Sequence, residues 1–462
     1  MSHKWSNPTP GRLFLALTGT LMFSAVGSIA AASGISAAAL SRYLPGQAST
    51  IARVAPGVSN RVVSKCADDG SPGTLRTVIA SALPGDTIDM SGLPAADPAC
   101  VAGTITLTTG ALSISSNLTL KGPAHAVLAL VGSGTDRVIA SSAASLHIDD
   151  LTIRHGRGPS KAGCIASSAE IVLDHTAVTD CIVTGSSKYA QGAAIGGGIY
   201  ANSVVLTNAS SITDSHANGA KSPNFNKYPG AGGGVFAKIA FSCTDSTISA
   251  NSASLFGGGI VAYGSPSLLR CTVDSNERFG MYLPSTSGVA TITSSTISGN
   301  SGGGIWSKPA LEMTNSTVAF NFSDGDTAGG IYAISNLTMQ SSIVASNISA
   351  SAYHADLRMG GGVYLTGADN LIVSTDATPD PGVITVTEDP QLLPLASNGG
   401  PTQTHALPAH SAAIDMGNNG GGLLTDQRGA GFVREMPAGS PDIGAYEFRG
   451  DGIFIDGFED DE

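Results

Sequence analysis

One phrase, repeated about every 24 residues along the middle of the chain, constrains the fold more than any other feature. Versions of it read "DSTISANSASLFGGGI" from Asp245, "SSTISGNSGGGIW" from Ser294 and "NSTVAFNFSDGDTAGGIY" from Asn315. In each version an Asn is followed by a glycine run. These Asn residues, at steps of 25, 24, 21 and 26, are Asn251, Asn276, Asn300, Asn321 and Asn347. A constant core step with insertions of variable length is typical of a solenoid.

Two kinds of solenoid have a period near this one. A leucine-rich repeat needs Leu at a dense, fixed spacing, and Leu is too sparse here. A parallel β-helix needs only short strands, about three per coil, with small or β-branched residues pointing inward. Bursts such as "GTITLTTGALSISSNLTLKG" from Gly103 alternate apolar and polar residues and mostly lack hairpin turns. We therefore predict an all-β fold, a single-stranded parallel β-helix of about twelve coils and about 58 Å in length.

The repeated phrase is interpreted as architecture. The β-branched residue three positions before each Asn is expected to point into the core. This column contains Ile248, Val273, Ile297, Val318 and Val344. Each Asn is expected at a tight corner, where it takes the left-handed conformation and its amide bonds the Asn of the next coil. The glycines are expected to supply positive φ where the chain turns.

Aromatic residues follow several glycine runs by one or two positions, at equivalent places in their coils: Tyr200, Phe236, Trp306 and Tyr332. Facing outward, they would form a ladder able to stack on sugar rings. Facing inward, they would form a core stack. We favour the inward arrangement, because each alternates with an apolar neighbour and one of the two must be buried.

Composition and cysteine content favour an extracellular chain. Charged residues are only 13% of the sequence, the net charge is −12, and no basic stripe occurs, so nucleic acid is not predicted as a partner. The six cysteines form no C-x-x-C motif, and an even number in an exported chain favours disulfides. We expect Cys66–Cys100, because both lie in the capping region. Cys164–Cys181 and Cys243–Cys271 come next, with buried free thiols as the alternative for these four.

The N-terminal part of the chain has three segments. Lys4 and Arg12 precede an apolar stretch that ends in "SIAAASG", which predicts a cleaved secretory signal, with a retained membrane anchor as the alternative. After a linker, Leu75, Val78, Ile79 and Ala82 share one helical face, with Ser71 or Thr74 as the cap and Pro84-Gly85 as the stop. This helix is expected to cover the open end of the rod. The predicted boundaries are 1–32 signal, 33–60 linker, 61–103 N-terminal cap, 104–389 β-helix, 390–448 C-terminal coils and cap, and 449–462 acidic tail.

Longer stretches resemble a known group of proteins. "GTLRTVIASALPGDTI" and "GTITLTTGALSISSNLTLKGP" resemble the cap and first coils of bacterial right-handed parallel β-helix repeat surface proteins of the pectin-lyase-like superfamily. "NGGPTQTHALPAHSAAIDMG", "TDQRG" and "DIGAYEF" resemble the region called choice-of-anchor Q in such proteins. The resemblance implies a right-handed β-helix, export and surface display. It implies no particular reaction, because the fold alone does not define one.

Catalytic candidates are scattered. A polysaccharide lyase would need a base and a calcium cluster, for which the candidates are the bases Lys221, Lys227, Arg278 and Arg358 and the acids Asp324 and Asp326. These bases are expected to lie in insertions, without a shared coil position. A glycoside hydrolase would need paired carboxylates. The remaining acids of these coils are Asp214, Asp245, Asp274, Glu277 and Glu312, and they share no offset in the repeat.

The C-terminal motifs hold further polar residues. His405, His410 and Asp415 lack a positioned nucleophile, so we interpret them as braces of a terminal cap. Asp426, Arg428, Asp442 and Glu447 are expected to form a buried Arg–carboxylate pair that closes the last coil. We therefore predict no catalytic, cofactor or metal site.

The function predicted from sequence is that of an exported, monomeric cell-surface protein, glycan-binding or adhesive, without a cofactor and without catalysis. Its expected partner is a polysaccharide or a cell-surface glycan, and no membrane span is expected once the signal is removed. The alternative is a secreted carbohydrate-active enzyme, either a polysaccharide lyase or a glycoside hydrolase. The observation that separates them is whether Lys, Arg, Asp and His side chains converge on one groove of the rod.

Overall fold

The computed structural model describes residues 59–185, 193–220, 230–351, 355–434 and 439–449. The expected signal and nearly all of the expected linker lie outside the described residues, as do Lys221, Lys227 and the tail beyond Arg449. Every ladder between the strands of the described part is parallel, and each coil stacks on the one before it. The chain is a right-handed single-stranded parallel β-helix, as predicted. No helix in the described residues is long and apolar enough to cross a membrane.

Each complete coil gives one strand to each of three faces, which we name face A, face B and face C in chain order. The strands of faces A and B belong to one sheet, and those of face C form another. The strands of one typical coil are Ile305–Ser307, Ala310–Thr314 and Thr317–Ala319. Face A contains Leu112–Ile114, Ile139–Ser141, Ile165–Ser167, Ile260–Ala262, Met281–Leu283, Ile305–Ser307, Ile331–Ala333 and Leu357–Met359. Two long strands, Ile199–Thr207 and Val235–Thr244, run from face A round to face B.

The other faces are built in the same way. Face B contains Asn60–Val62, Thr87–Asp89, Leu118–Lys121, Ser145–Asp149, Glu170–Asp174, Ser267–Leu269, Val289–Thr293, Ala310–Thr314, Leu337–Gln340 and Leu365–Ala368. Face C contains Thr104–Thr106, Leu128–Val131, Leu151–Arg154, Ala177–Thr184, Ser211–Asn218, Thr247–Ser249, Thr272–Asp274, Thr296–Ser298, Thr317–Ala319, Ile343–Ala345, Asn370–Ile372 and Ile384–Val386. Two short strands extend face C: Arg157–Pro159 pairs with Ala177–Thr184, and Ser252–Ala253 pairs with Ser211–Asn218. Two further pairs are separate from the faces: Ala194–Ile195 with Gly230–Ala231, and Phe322–Ser323 with Ile348–Ser349.

An Asn ladder runs through the core at the end of face C, as predicted. The side-chain amide of Asn276 donates to Oδ1 of Asn300 at 2.9 Å, and that of Asn300 donates to Oδ1 of Asn321 at 2.8 Å. The ladder ends where Asn347 donates to Oδ1 of Asp356 at 2.9 Å. The predicted apolar column beside it is also buried, with Ile297 fully inaccessible.

The conformation predicted for the ladder was wrong in one respect. The residue before each Asn, and not the Asn itself, has positive φ; these residues are Ala250, Ser275, Gly299, Phe320 and Ser346. Likewise, the last glycine of each run is needed for close approach. A Cβ on Gly280 would lie 2.7 Å from Nδ2 of Asn300, and one on Gly330 would lie 2.8 Å from Nδ2 of Asn347. Asn and Gly recur together because their columns pack against each other.

The corner between face B and face C carries a second polar ladder, which the sequence analysis missed. The backbone N–H of Cys271 donates to Oγ of Ser295 at 3.0 Å, and that of Ser295 donates to Oγ of Ser316 at 3.2 Å. Ser316 repeats the pattern with Ser342. These hydroxyls give buried backbone donors a partner in the next coil.

The N-terminal end of the rod is covered by helix α1, Leu75–Ser81, as predicted. Leu75 is buried, and Val78, Ile79 and Ala82 pack against the main core. Thr74 occupies the N-cap position, but its hydroxyl donates to the carbonyl of Ser71 instead of capping the helix. All three expected disulfides are present: Cys66–Cys100, Cys164–Cys181 and Cys243–Cys271.

The region 390–448 lies along the outer surface of face C. Its described residues contain no strand. The hydroxyls of Thr272 and Thr296 donate to Gln403 and Gln427, and the backbone N–H of Ala445 donates to Thr317. An apolar cluster joins the two parts: Ala319, Ile343, Ala345, Leu371 and Val386 from the rod, and Leu392, Leu407, Ala413 and Ile443 from the C-terminal region. Face C is therefore covered over several coils.

The expected Arg–carboxylate pairing is present in this region, but its expected position at the last coil was wrong, because the region packs on the side of the rod against earlier coils. Nε of Arg428 lies 2.9 Å from Oδ2 of Asp426, and Nη1 of Arg434 lies 3.0 Å from Oε2 of Glu447. Arg434 is fully buried, and the guanidinium of Arg428 lies over the rings of Phe432 and Tyr446. These contacts hold the C-terminal region together against face C.

Candidate functional site

An aromatic column lies on the outside of face A, so the expected inward stack was wrong. Tyr200 pairs in register with Phe236, and Tyr282 pairs with Trp306, which in turn pairs with Tyr332. These side chains are partly exposed. The residues just before them fill the core and are fully buried; they include Ile199, Val235, Met281, Ile305 and Ile331. Ile and Met fill the interior because branched and flexible aliphatic chains pack a narrow coil without leaving a polar atom inside.

The rings of this column stack on one another. Tyr282 stacks on Trp306 with centroids 4.4 Å apart and on Phe256 with centroids 4.7 Å apart. Tyr200 stacks on Phe236 at 5.7 Å, and Nζ of Lys161 lies 4.9 Å from the centre of its ring. A sugar ring binds an aromatic side chain through an exposed ring face. The column therefore stabilises the rod and offers little stacking surface.

A groove begins where the aromatic column stops. In the coils before Tyr200, the outward positions of face A are occupied by Ser113, Ala140 and Ala166, which leave a depression of about 560 Å³. We call it the N-terminal groove. It is lined by Ser113, Ile114, Ser115, Arg137, Ala140, Ser141, Ser142, Lys161, Ala166, Ser167, Ser168, Tyr200, Asn202 and Lys238. Small residues on the floor and hydroxyls along the edge leave room for a polar chain.

Both rims of the N-terminal groove carry cations. Arg137 and Lys161 precede strands of face A, whereas Asn202 and Lys238 follow the outward aromatic residues by two positions. Nε of Arg137 is buried and has no hydrogen-bond partner among the described residues, and its nearest carboxylate, Asp136, is 3.8 Å away. No Asp, Glu or His is among the described residues that line the groove.

The groove continues toward the N-terminal cap. A second depression of about 360 Å³ shares Ser113 and Ser115 with it and reaches Arg76 and Ile79 of helix α1. The guanidinium of Arg76 is already engaged, because Nε lies 2.9 Å from Oδ1 of Asp68. The open path therefore runs along the rod from helix α1 to Tyr200.

The lyase candidates that lie in the described residues do not meet in a groove. Asp324 and Asp326 are exposed in a loop, and Arg278 is exposed in another. Arg358 does not lie in an insertion, as was expected. It occupies face A in register with Tyr332, lies over that ring at 4.9 Å, and donates to the backbone carbonyl of Asp326.

The hydrolase candidates are also dispersed. Asp245 binds Arg270 through two hydrogen bonds of 2.6 and 2.7 Å. Asp274 is buried and accepts a hydrogen bond from Ser249, and burial raises the pKa of its carboxyl. Asp214 lies beside His216, while Glu277 and Glu312 are exposed in a loop and on face B. No two of these acids line one cavity.

One other cavity contains two carboxylates. It has a volume of about 580 Å³ near the C-terminal end of face A and is lined in part by Tyr364, Asp376 and Asp380. Tyr364 is 70% exposed, so its ring faces solvent. Asp376 accepts a hydrogen bond of 2.8 Å from the backbone N–H of Met359. The sequence analysis did not single out these three residues.

His405 of the C-terminal motif braces this region against the rod, as interpreted. His405 is buried between the hydroxyl of Ser298 and the carbonyl of Leu393, and burial lowers its pKa. His410 contacts Oε1 of Gln391. The backbone N–H of Asp415 donates to Asp442. None of these groups faces the N-terminal groove.

Two sets of described side chains lie close enough together to share an ion. Cys66, Asp97 and Cys100 form one set, but the cysteines are joined in a disulfide. Asp149, Asp150 and His175 form the other, at the corner between face B and face C. Burial and the neighbouring carboxylates raise the pKa of Asp149. Neither set borders the N-terminal groove.

The sequence analysis missed Arg137, Lys161 and Lys238. One signal was available. The string "IASSA" occurs at Ile139 and again at Ile165, 26 residues apart, which places a small Ala at the outward position of two successive coils. The cations lie at different offsets from this string, so the repeat alone does not bring them together.

Comparison with known proteins identifies no residue of the site. No protein-family model and no curated protein sequence matches the chain. Among solved structures, the crystal structure of pectate lyase Pel9A is similar with a TM-score of 0.40 and 13% sequence identity. The match covers 85% of this chain and 98% of that chain. Nothing of that protein's activity is carried over to this chain.

Proposed function

We propose that this chain is an exported cell-surface protein that binds a polysaccharide or a cell-surface glycan in the N-terminal groove without cleaving it. The observation that carries the proposal is the lining of the groove, which combines Ser hydroxyls, the amide of Asn202 and three cations over a floor of small residues. Hydroxyls and amides both donate and accept hydrogen bonds, as sugar hydroxyls do. The three coil steps from Ser113 to Tyr200 give the groove a length of about 14 Å.

Convergence of Lys, Arg, Asp and His side chains on one groove would favour an enzyme, and of these residue types only Lys and Arg are among the described residues that line the groove, which favours binding over hydrolysis. Glycoside hydrolysis uses two carboxyl groups on either side of the scissile bond. The described lining of the N-terminal groove contains no carboxyl group. Three disulfides and a charged fraction of only 13% support the extracellular location.

The test is a glycan array with the purified full-length chain, followed by product analysis on each glycan that binds. Ala166→Trp should abolish binding. Ala166 pairs in register with Tyr200, so the new ring would lie next to that of Tyr200 and fill the groove. Glu312→Trp is the matched control, since it places the same ring on exposed face B and should leave binding unchanged. Equal binding by the parent and Ala166→Trp would contradict the proposed site.

A second candidate function is glycoside hydrolysis at the C-terminal cavity, because Asp376 and Asp380 line it beside the exposed ring of Tyr364. Reducing ends would then accumulate during incubation with a bound glycan. Asp376→Asn and Asp380→Asn would each stop that accumulation, whereas Ala166→Trp would not. Unsaturated products, which absorb in the ultraviolet, would instead indicate a lyase.

A further inference from the structure

The charges on the two rims of the N-terminal groove narrow the class of ligand. We infer that the groove selects glycans that carry anionic groups, either carboxylates or sulfate esters, over neutral glycans. This inference rests on the proposed function and adds the chemical class of the ligand.

The charge of the groove is opposite in sign to the net charge of the protein. The chain has 35 acidic and 23 basic residues, for a net charge of −12. Three cations nevertheless line the groove, and no acid is among its described lining residues. The rest of the surface repels polyanions, so an anionic chain that approaches the protein is favoured only where the local potential is positive.

The first rim has an unmatched donor. Nε of Arg137 is buried without a hydrogen-bond partner, and Asp136 at 3.8 Å is too far to accept from it. Oδ1 of Asp136 instead accepts the backbone N–H of Arg137 at 2.8 Å. A planar guanidinium pairs best with the oxygens of a carboxylate or a sulfate. The buried Nε is out of reach of a ligand, but the Arg137 side chain is 21% exposed, and its accessible part would contact an anionic substituent in the groove.

The remaining cations extend this preference along the groove. Nζ of Lys161 is held over the ring of Tyr200, so the ammonium stays at the edge of the groove. Lys238 is exposed on the opposite rim, one coil beyond Asn202. Arg137 and Lys238 belong to coils three steps apart, or about 14 Å. A linear polymer lying along the rod would thus meet cations in several coils.

The experiment measures binding of the purified full-length chain to three groups of polymers by isothermal titration calorimetry. Polygalacturonate and alginate carry carboxylates, dextran sulfate carries sulfate esters, and dextran and pullulan are neutral. We expect at least one anionic group to bind tenfold or more tightly than both neutral polymers. The affinity should fall as sodium chloride is raised, because salt screens the exposed lysines. The two anionic arms identify which substituent is recognised.

Substitutions of the three cations test whether the preference for anionic polymers comes from the N-terminal groove. The triple variant Arg137→Gln/Lys161→Gln/Lys238→Gln should lose at least tenfold in affinity for the anionic polymer. Lys308→Gln is the matched control, since Lys308 follows Trp306 by two positions as Lys238 follows Phe236, but lies outside the groove. It should bind like the parent. Lys161→Arg, which keeps the charge, should retain most of the affinity, and melting curves would confirm that each variant is folded.

Three outcomes would overturn the inference. Equal binding of neutral and anionic polymers would refute the charge selection while leaving glycan binding in place. Loss of binding in Lys308→Gln as large as in the triple variant would show a general effect of charge, without a role for the groove. Binding of no polymer or array glycan by the parent would refute the proposed function itself.

Discussion

Tyr282 and Trp306 stack on the outside of face A with ring centroids 4.4 Å apart and ring planes 18° apart. They belong to successive coils and pair in register. Two outward aromatic residues thus join neighbouring coils from the solvent side, while Met281 and Ile305 join them from within. An aromatic column on the outside of such a rod can therefore stabilise the stacking of its coils.

The first prediction concerns this stack. Trp306→Ala should lower the free energy of unfolding by about 1–2 kcal/mol, because it removes an aromatic pair and partly buried ring surface. Glycan binding should be unchanged, since Trp306 is not part of the N-terminal groove. Urea denaturation followed by circular dichroism would measure the first effect and calorimetry the second. A loss of glycan affinity in folded Trp306→Ala would place the binding surface on the column instead.

The second prediction tests the Asn ladder. Asn300→Ala should lower the free energy of unfolding by about 3 kcal/mol, because the buried backbone N–H and side-chain amide of Asn276 both lose Oδ1 of Asn300 as an acceptor. Asn336→Ala is the control. Asn336 is exposed and accepts one hydrogen bond, from the backbone N–H of Tyr364, so its loss should cost under about 1 kcal/mol. Similar denaturation midpoints for the two variants would argue against a structural role for the ladder.

The third prediction tests the contact between the glycine and Asn columns. Gly280→Ala should destabilise by about 1–3 kcal/mol, because its Cβ would lie 2.7 Å from Nδ2 of buried Asn300 and the core must shift. Gly325→Ala places the same methyl group where nothing lies within 4 Å, so it should change stability by less than about 0.5 kcal/mol. Thermal melting of both variants is sufficient to compare them. An unchanged melting temperature for Gly280→Ala would show that the core can accommodate the extra methyl group.

The fourth prediction concerns pH. Burial raises the pKa of Asp442 to about 6 and that of Glu447 to about 7. Unfolded Asp and Glu titrate near pH 4, so both groups bind more protons in the folded state between about pH 4 and 7. Their contribution to stability is fully present below about pH 4 and is lost as the pH rises to about 7. Denaturation midpoints measured from pH 5 to 8 should therefore fall.

Glu447→Gln provides the control for that fall, since the amide keeps the shape of the side chain and cannot titrate. Its stability should change less over the same range of pH. A profile as steep as that of the parent would assign the pH dependence to other groups.

The periodic part of the fold could be predicted from the sequence, because stacking requires equivalent residues at equal steps. Ile297 and Asn300 occupy the predicted core positions for this reason. The direction of Trp306 could not be predicted, since two adjacent apolar residues satisfy the same periodicity and only the packing of the whole coil selects which one is buried. Arg137, Lys161 and Lys238 lie at different offsets in unequal coils, and only the three-dimensional register brings them to one groove.

The position of the C-terminal region on face C has a mechanical consequence. Gln403, Gln427 and Ala445 bond to coils between Thr272 and Thr317, well before the last coil of the rod. A pull applied beyond Arg449 would reach the rod through its side and load several coils together in shear. Unfolding of the rod from its last coil would first require the contacts of this lateral attachment to break.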